Sequence, residues 1–382
     1  MKRVLSCLIV VLLLAGILPA GVSAAGLEVP AKSAVLMDVA TGTVLYESNS
    51  HTPLPPASVT KVMTMLLIME AIDDHRIRWE DTVTASETAA AKGGSQIYLK
   101  VGETMSVTDM VKSIAISSAN DCACAMAEHI AGSEEAFVAM MNNRAKELGM
   151  QDTHFVNCTG LDDDAAAKEH KTSAYDIALM SRALLKDHPD IKKFTTIWMD
   201  TVRNGTFGLS NTNKLVRFYS GATGLKTGFT SSAGYCLSAS ALREDMELIA
   251  VVMGSETSKD RFAACKTLLD YGFANFALVQ PAVDTQTEVP VKLGALSSVK
   301  AVPNAQNNLI IDKSQKKDVS TEVTLEPEVS APVTKGQRLG TMTVKAGEHI
   351  LAEIPMVAEQ GVDRLSYWDL LLQMLKSVTM SQ

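Results

Sequence analysis

Pro55-Pro56-Ala57-Ser58-Val59-Thr60-Lys61, followed at once by Val62-Met63-Thr64-Met65-Leu66-Leu67-Ile68-Met69, is the stretch that decides the reading of this chain. The two prolines stop what precedes them, and the apolar run behind Lys61 continues as a helix, so Ser58 and Lys61 stand at i and i+3 of a helix start. The spacing brings an amine to a hydroxyl. A solvated surface lysine would be an odd guest in so apolar a stretch, whereas a partly buried amine near other cations is neutral enough to take a proton. Ser58 is therefore the candidate nucleophile and Lys61 its general base, with the dipole and free N–H groups of the helix start favouring the charge that develops on attack. Spacing alone is weak, because Ser297/Lys300 and Ser314/Lys317 repeat it where nothing around them indicates a site.

Two segments downstream support the serine. Ser118-Ala119-Asn120 is the only S-x-N in the chain and falls where one helical pattern passes into a second, alanine-rich one. Its hydroxyl can relay a proton between Lys61 and a leaving amine, and the Asn120 amide can donate to a substrate carbonyl and orient the lysine. A turn using Ser and Asn for local hydrogen bonds is the plain alternative. Lys226-Thr227-Gly228 is expected on a strand edging a cleft, with Gly228 letting a substrate backbone approach and Lys226 and Thr227 offering charge and hydroxyl to a free carboxylate. Serine, lysine and these supports in one order point to acyl transfer through a serine ester. The seven histidines show no G-x-S-x-G partner and no H-E-x-x-H helix, and no P-loop or dinucleotide glycine motif is present, so the reaction expected needs no metal or cofactor.

The 382 residues, 47% hydrophobic, suffice for two or three globular domains, and a net charge of −8 without a basic run gives no reason to expect nucleic acid as a partner. Lys2 and Arg3, the apolar run Val4 to Ile17 and the small residues Val22-Ser23-Ala24 read as a secretory signal peptide over residues 1–24. After Cys7 is removed with it, Cys122, Cys124, Cys158, Cys236 and Cys265 form an odd set, read as buried small apolar residues, with a disulfide between some pair left open.

Helical patterns (Val59 to Ile72, Thr108 to Ile130, Glu134 to Leu148, Ala174 to Leu185, Arg261 to Asn275) mix with strand-like runs (Ala34 to Met37, Tyr235 to Ala239, Leu248 to Met253), predicting a mixed α/β domain over residues 25–277. Short Val- and Thr-rich runs such as Glu288 to Leu293 and Gly340 to Lys345 predict a small all-β domain over 278–362. Asp363 to Gln382 reads as an amphipathic helix with a wide apolar face and a Tyr-Trp pair at its head, placed in a membrane interface or packed on the β domain.

These residues carry a resemblance to a family. Beyond the three motifs, Asp38-Val-Ala-Thr-Gly-Thr-Val-Leu-Tyr46, Asn211-Thr-Asn-Lys-Leu215, Gly224-Leu-Lys-Thr-Gly-Phe-Thr230 and Tyr271-Gly-Phe-Ala-Asn-Phe276 are similar, in the same order, to stretches of the low-molecular-mass penicillin-binding proteins. These are serine D-alanyl-D-alanine carboxypeptidases with a C-terminal β domain. The resemblance implies a penicilloyl-serine transferase fold, related to the β-lactamases, and a peptidoglycan stem peptide ending in D-Ala-D-Ala as substrate. It also implies β-lactam antibiotics as covalent inhibitors, an oxyanion hole made by the backbone N–H of Ser58 and of Phe229, and work at the outer face of the cytoplasmic membrane. Thr223 stands where family members often carry an acid, and Gly160 to His170 is an unusual version of the loop before Thr172 and Tyr175. A serine β-lactamase, with Glu169 the only acid in that loop able to serve deacylation, and a non-catalytic peptidoglycan-binding or β-lactam-sensing protein are the other readings.

Overall fold

The computed structural model describes residues 27–163, 166–282, 287–304, 308–369 and 371. The signal peptide read at residues 1–24 lies outside them. The chain forms two compact units that divide between Gly272 and Phe273.

In the first unit, strands β1 (Ser33–Asp38) and β2 (Val44–Ser48) precede the short 3-10 turn Ala57–Thr60, which runs straight into helix α1 (Lys61–Asp73). Helices α2 (Val107–Ser117), α3 (Asn120–Ala131), α4 (Glu134–Glu147) and α5 (Ala174–Asp187) follow. Strands β3 (Ala222–Thr230), β4 (Gly234–Arg243) and β5 (Met246–Ser255) complete the unit with helix α6 (Ser258–Asn275), whose last residues run past the division. The strands form one antiparallel sheet in the order β2-β1-β5-β4-β3, so β3 is an edge strand.

Both faces of this sheet are covered, which explains why β5 is buried at every position and reads as a continuous apolar run rather than an alternating one. Val35, Met37, Ile249 and Val251 join the main core, into which α1 and α5 pack. On the other face α6 comes so close at Gly272 that a Cβ there would meet Leu248 Cδ1 at 2.4 Å and Leu36 Cδ2 at 3.0 Å. Helix α1 is buried from Lys61 through Met69. The pattern read as Thr108 to Ile130 divides at Ser118 and Ala119, where Ser118 takes the left-handed conformation (φ +65°) that ends α2.

In the second unit, β6 (Glu288–Lys292), β7 (Ser298–Pro303), β8 (Val319–Leu325), β9 (Val329–Ser330), β10 (Arg338–Ala346) and β11 (His349–Ala358) form a sheet in the order β8-β10-β11-β7-β6-β9. Alternation is plain here: Glu288–Lys292 runs exposed, buried, exposed, buried, exposed, and Val289, Val299, Leu339, Met342 and Met356 make the core. The segment read as helical from Asp363 begins otherwise. Leu365 N donates to Leu293 O at 2.9 Å and Ala295 N to Asp363 O at 2.8 Å, so residues 363–365 pair with a turn of the sheet. Helix starts only at Tyr367, capped by Ser366 Oγ, which accepts from Asp369 N. A wide apolar pattern does not reveal where backbone pairing outcompetes a helical start. Residues 372–382 of the predicted helix lie outside the described residues.

Candidate active site

Ser58 is partly exposed on a turn whose neighbours Ala57, Val59 and Thr60 are buried, so its hydroxyl stands at the surface of a rigid knob. One turn on, Lys61 is wholly buried, and its Nζ donates to Ser58 Oγ at 3.0 Å and to Thr159 O at 2.8 Å. Burial strips the ammonium of water and pulls the Lys61 pKa down to about 7, against smaller opposing pulls from Cys158 and Asp121. The carbonyl that holds the amine is itself fixed. Asn157 Oδ1 accepts from Thr159 N and, at 2.6 Å, from Gly160 N, while Thr64 Oγ1 on α1 donates to Cys158 O.

Ser118 and Asn120 lie at the junction of α2 and α3, both nearly inaccessible. Among the described residues, Ser118 Oγ and Asn120 Oδ1 find no hydrogen-bond partner. Buried polar atoms left without partners are costly and call for an explanation, and a bound molecule supplies one. The Asn120 amide nitrogen donates to Gly93 O at 2.7 Å, and the Asp121 carboxylate accepts from Ile97 N and Leu99 N, so the start of α3 holds the loop over residues 93–99.

Lys226, Thr227, Gly228 and Phe229 sit on edge strand β3. Lys226 is fully buried, with its Nζ donating to Thr227 O at 3.0 Å. Burial, then the neighbouring Lys61 and Arg261, push its pKa well below the ordinary lysine value. Among the described residues, neither Lys226 nor Arg261 forms an ion pair with a carboxylate. Among the described residues, two buried basic side chains thus stand close together without an acidic partner. Thr227 Oγ1 donates to Thr212 Oγ1 at 2.7 Å, which places the Asn211 to Leu215 segment beside the strand. Gly228 has a reason of its own: a Cβ there would stand 2.7 Å from Pro56 O and 3.1 Å from Ser58 N, so the turn that carries Ser58 packs directly against this position. Phe229 is half exposed and stacks on Tyr235 with ring centroids 4.3 Å apart.

An acid reaches Thr223 from β5, two strands away in the sheet. Thr223 Oγ1 donates to Glu247 Oε1 at 2.8 Å, and Glu247 pairs with Lys192. Glu169 is exposed on a short 3-10 turn, Ala166–Glu169. All five cysteines of the described chain are buried and free. What the sequence reading missed is His170, buried and hydrogen-bonded to Thr60 inside the Ser58-to-Lys61 motif itself. Its place at the end of an irregular loop gives no local signal of that contact.

A serine with a buried lysine at hydrogen-bond distance, that lysine's pKa lowered to about 7, on a turn packed against the Lys-Thr-Gly edge strand, fits an active-serine acyl-transfer enzyme. The comparisons narrow this further. Residues 20–257 match the family described as D-alanyl-D-alanine carboxypeptidase, and residues 278–364 the C-terminal domain of penicillin-binding protein 5. The chain belongs to the D-alanyl-D-alanine carboxypeptidase family. It is 43% identical over 379 residues to the D-alanyl-D-alanine carboxypeptidase DacF of Bacillus subtilis (strain 168), covering 96% of each chain. Penicillin-binding protein 5 of Haemophilus influenzae superposes with a TM-score of 0.78 at 31% identity, over 91% of this chain and 100% of that one. Penicillin-binding protein D2 of Listeria monocytogenes in its ampicillin-bound form gives a TM-score of 0.56 at 33% identity, over 65% of this chain and 98% of that one. The architecture is a mixed α/β catalytic domain of penicilloyl-serine transferase type followed by a C-terminal all-β domain.

Proposed function

We propose that this protein is a serine D-Ala-D-Ala carboxypeptidase that removes the terminal D-alanine from peptidoglycan stem peptides through an ester on Ser58. The observation that carries the reading is Lys61, wholly buried, held near neutrality and 3.0 Å from the Ser58 hydroxyl oxygen. Neutral Lys61 takes the Ser58 proton as Oγ attacks the carbonyl of the penultimate D-alanine. The tetrahedral oxyanion is held by the backbone N–H groups of Ser58 and Phe229. Collapse breaks the C–N bond, and the departing D-alanine amine takes the proton from Lys61 by way of Ser118. Water then gives a proton to Lys61 and attacks the ester, and as the tetrahedral intermediate collapses the C–O bond to Ser58 breaks and Lys61 returns the proton to Ser58 Oγ, releasing the shortened peptide. Lys226 and Thr227 bind the terminal carboxylate, which supplies the acidic partner that Lys226 does not have among the described residues. Asn120 donates to a substrate carbonyl, and the peptide adds as a strand along β3.

A β-lactam enters the same site and leaves a long-lived ester on Ser58, in line with the ampicillin-bound relative. In this reading residues 1–24 export the protein, 25–277 form the catalytic domain and 278–362 the β domain. The segment from residue 363 rests on the outer face of the membrane, supported by Tyr367 and Trp368, exposed by 75% and 70%. A chain ending at Val362 that still sediments with vesicles would remove that last element.

The test is D-alanine release from diacetyl-Lys-D-Ala-D-Ala by the mature protein and its Ser58→Ala variant, with benzylpenicillin as a mass probe. Release lost in the variant and a persistent adduct on the parent are expected. Rapid penicillin turnover without D-alanine release would replace the reading with a β-lactamase, and a stable adduct without any release with a sensor.

A further inference from the structure

Ala57, the residue before the nucleophile, adopts φ +48°, a left-handed conformation that a residue with a Cβ keeps only when its surroundings hold it there. Its carbonyl oxygen accepts from Thr60 Oγ1 at 2.8 Å, and Thr60 Oγ1 stands 2.8 Å from His170 Nε2. His170 Nδ1 is in turn 3.1 Å from Val156 N, which donates to it. A backbone N–H can only donate, so Nδ1 is the bare nitrogen of a neutral ring, and Nε2 carries the hydrogen and gives it to Thr60 Oγ1. The hydroxyl's own hydrogen is thereby committed to Ala57 O. Thr60 and His170 are buried, which protects the relay from competing water. From another side Gly160 closes the same point, since a Cβ there would fall 1.8 Å from Ala57 O.

The Ala57 oxygen and the Ser58 N–H belong to one trans peptide plane and point in opposite directions. Fixing the one therefore aims the other. We propose that His170 is a positioning residue which, through Thr60, sets the direction of the Ser58 N–H and so tunes stabilisation of the tetrahedral oxygen without touching substrate. This rests on the reading above that the Ser58 N–H is an oxyanion donor.

Two amide substitutions separate this role from simple anchoring of the loop. His170→Gln puts an amide where Nε2 was and keeps a donor for Thr60, whereas His170→Asn puts one where Nδ1 was, keeping the acceptor for Val156 N–H and leaving Thr60 undirected. Acylation by benzylpenicillin is expected to slow about 10- to 100-fold in His170→Asn, with the initial binding constant unchanged, and to stay within a few-fold of the parent in His170→Gln. The reverse order would overturn the proposal. Should His170→Asn fail to fold, Thr60→Val, with Thr60→Ser as its rescue, is read in the same way.

The dependence on the oxyanion reading is tested with a peptide whose scissile carbonyl oxygen is replaced by sulfur, a poor hydrogen-bond acceptor. The parent is expected to prefer oxygen strongly and the Asn variant to lose most of that preference. No preference in the parent removes the oxyanion reading and the proposal with it. A strong preference that His170→Asn leaves intact removes the proposal alone.

Discussion

The chain contains S-x-x-K three times, and the three sites differ in everything except spacing. Ser297 and Lys300 flank the start of β7, both exposed, with Lys300 in a loose ion pair to Glu359 at 3.9 Å. Ser314 and Lys317 lie on a 3-10 turn, Lys313–Asp318, much like the turn beneath Ser58, yet that turn has no buried residue and Ser314 Oγ donates to Asp312. Only Ser58 and Lys61 combine a helical turn with complete burial of the amine. A hydrated lysine keeps its proton and is useless as a base, while the same side chain deprived of water gives it up near neutrality. Desolvation, not spacing, makes the motif chemical.

The strongest attempt to break this contrast is to remove the serines in turn. Ser58→Ala is expected to lower D-alanine release by at least about 10⁴-fold and to abolish the penicillin mass shift, whereas Ser297→Ala and Ser314→Ala leave both unchanged. Next comes Lys61→Met, expected to cost about 10²- to 10⁴-fold in acylation while raising the melting temperature. The sign follows from linkage: the folded-state pKa of about 7 lies below the ordinary lysine value of 10.5, so between these the unfolded chain binds the extra proton and stability rises with pH. The gain of Lys61→Met over the parent should therefore be larger at pH 6 than at pH 9 by thermal melts. In the parent, acylation should rise through a pH of about 7 as Lys61 loses its proton, and a profile flat between pH 5.5 and 8.5 would contradict the assignment.

Smaller effects sharpen the comparison between the two units. Gly228→Ala forces a methyl against Pro56 O and Ser58 N, with an expected cost of about 1–3 kcal/mol and slower acylation. Met342→Ala, deep in the β unit, is expected to destabilise that unit by about 2–4 kcal/mol in denaturant melts while leaving the penicillin acylation rate alone.

The sequence reading succeeded where burial follows a short period. Helices α1, α4 and α5 and strands β1 and β5 lie within a few residues of their predicted ranges, because apolar periodicity reports the side a segment turns to the core. It fell short where partners distant in sequence decide. Asp363 to Leu365 pair with the Leu293 turn instead of opening a helix, Glu247 supplies an acid beside Thr223, and Gly228 packs against Pro56 and Ser58. None of these partnerships leaves a trace within a ten-residue window.

By itself, then, the sequence determined the class of chemistry and the order of its parts: serine, lysine one turn on, Ser-x-Asn at a helix junction, Lys-Thr-Gly on a strand. These are local facts of spacing and residue type. The apolar run behind Lys61 already singled out one of three identical spacings; tertiary structure decided that its lysine is completely buried, because loss of hydration comes from packing by residues far apart in the chain. It also decided that, among the described residues, Lys226 and Arg261 have no carboxylate partner, and that a histidine 110 residues beyond Thr60 hydrogen-bonds to it beside Ser58.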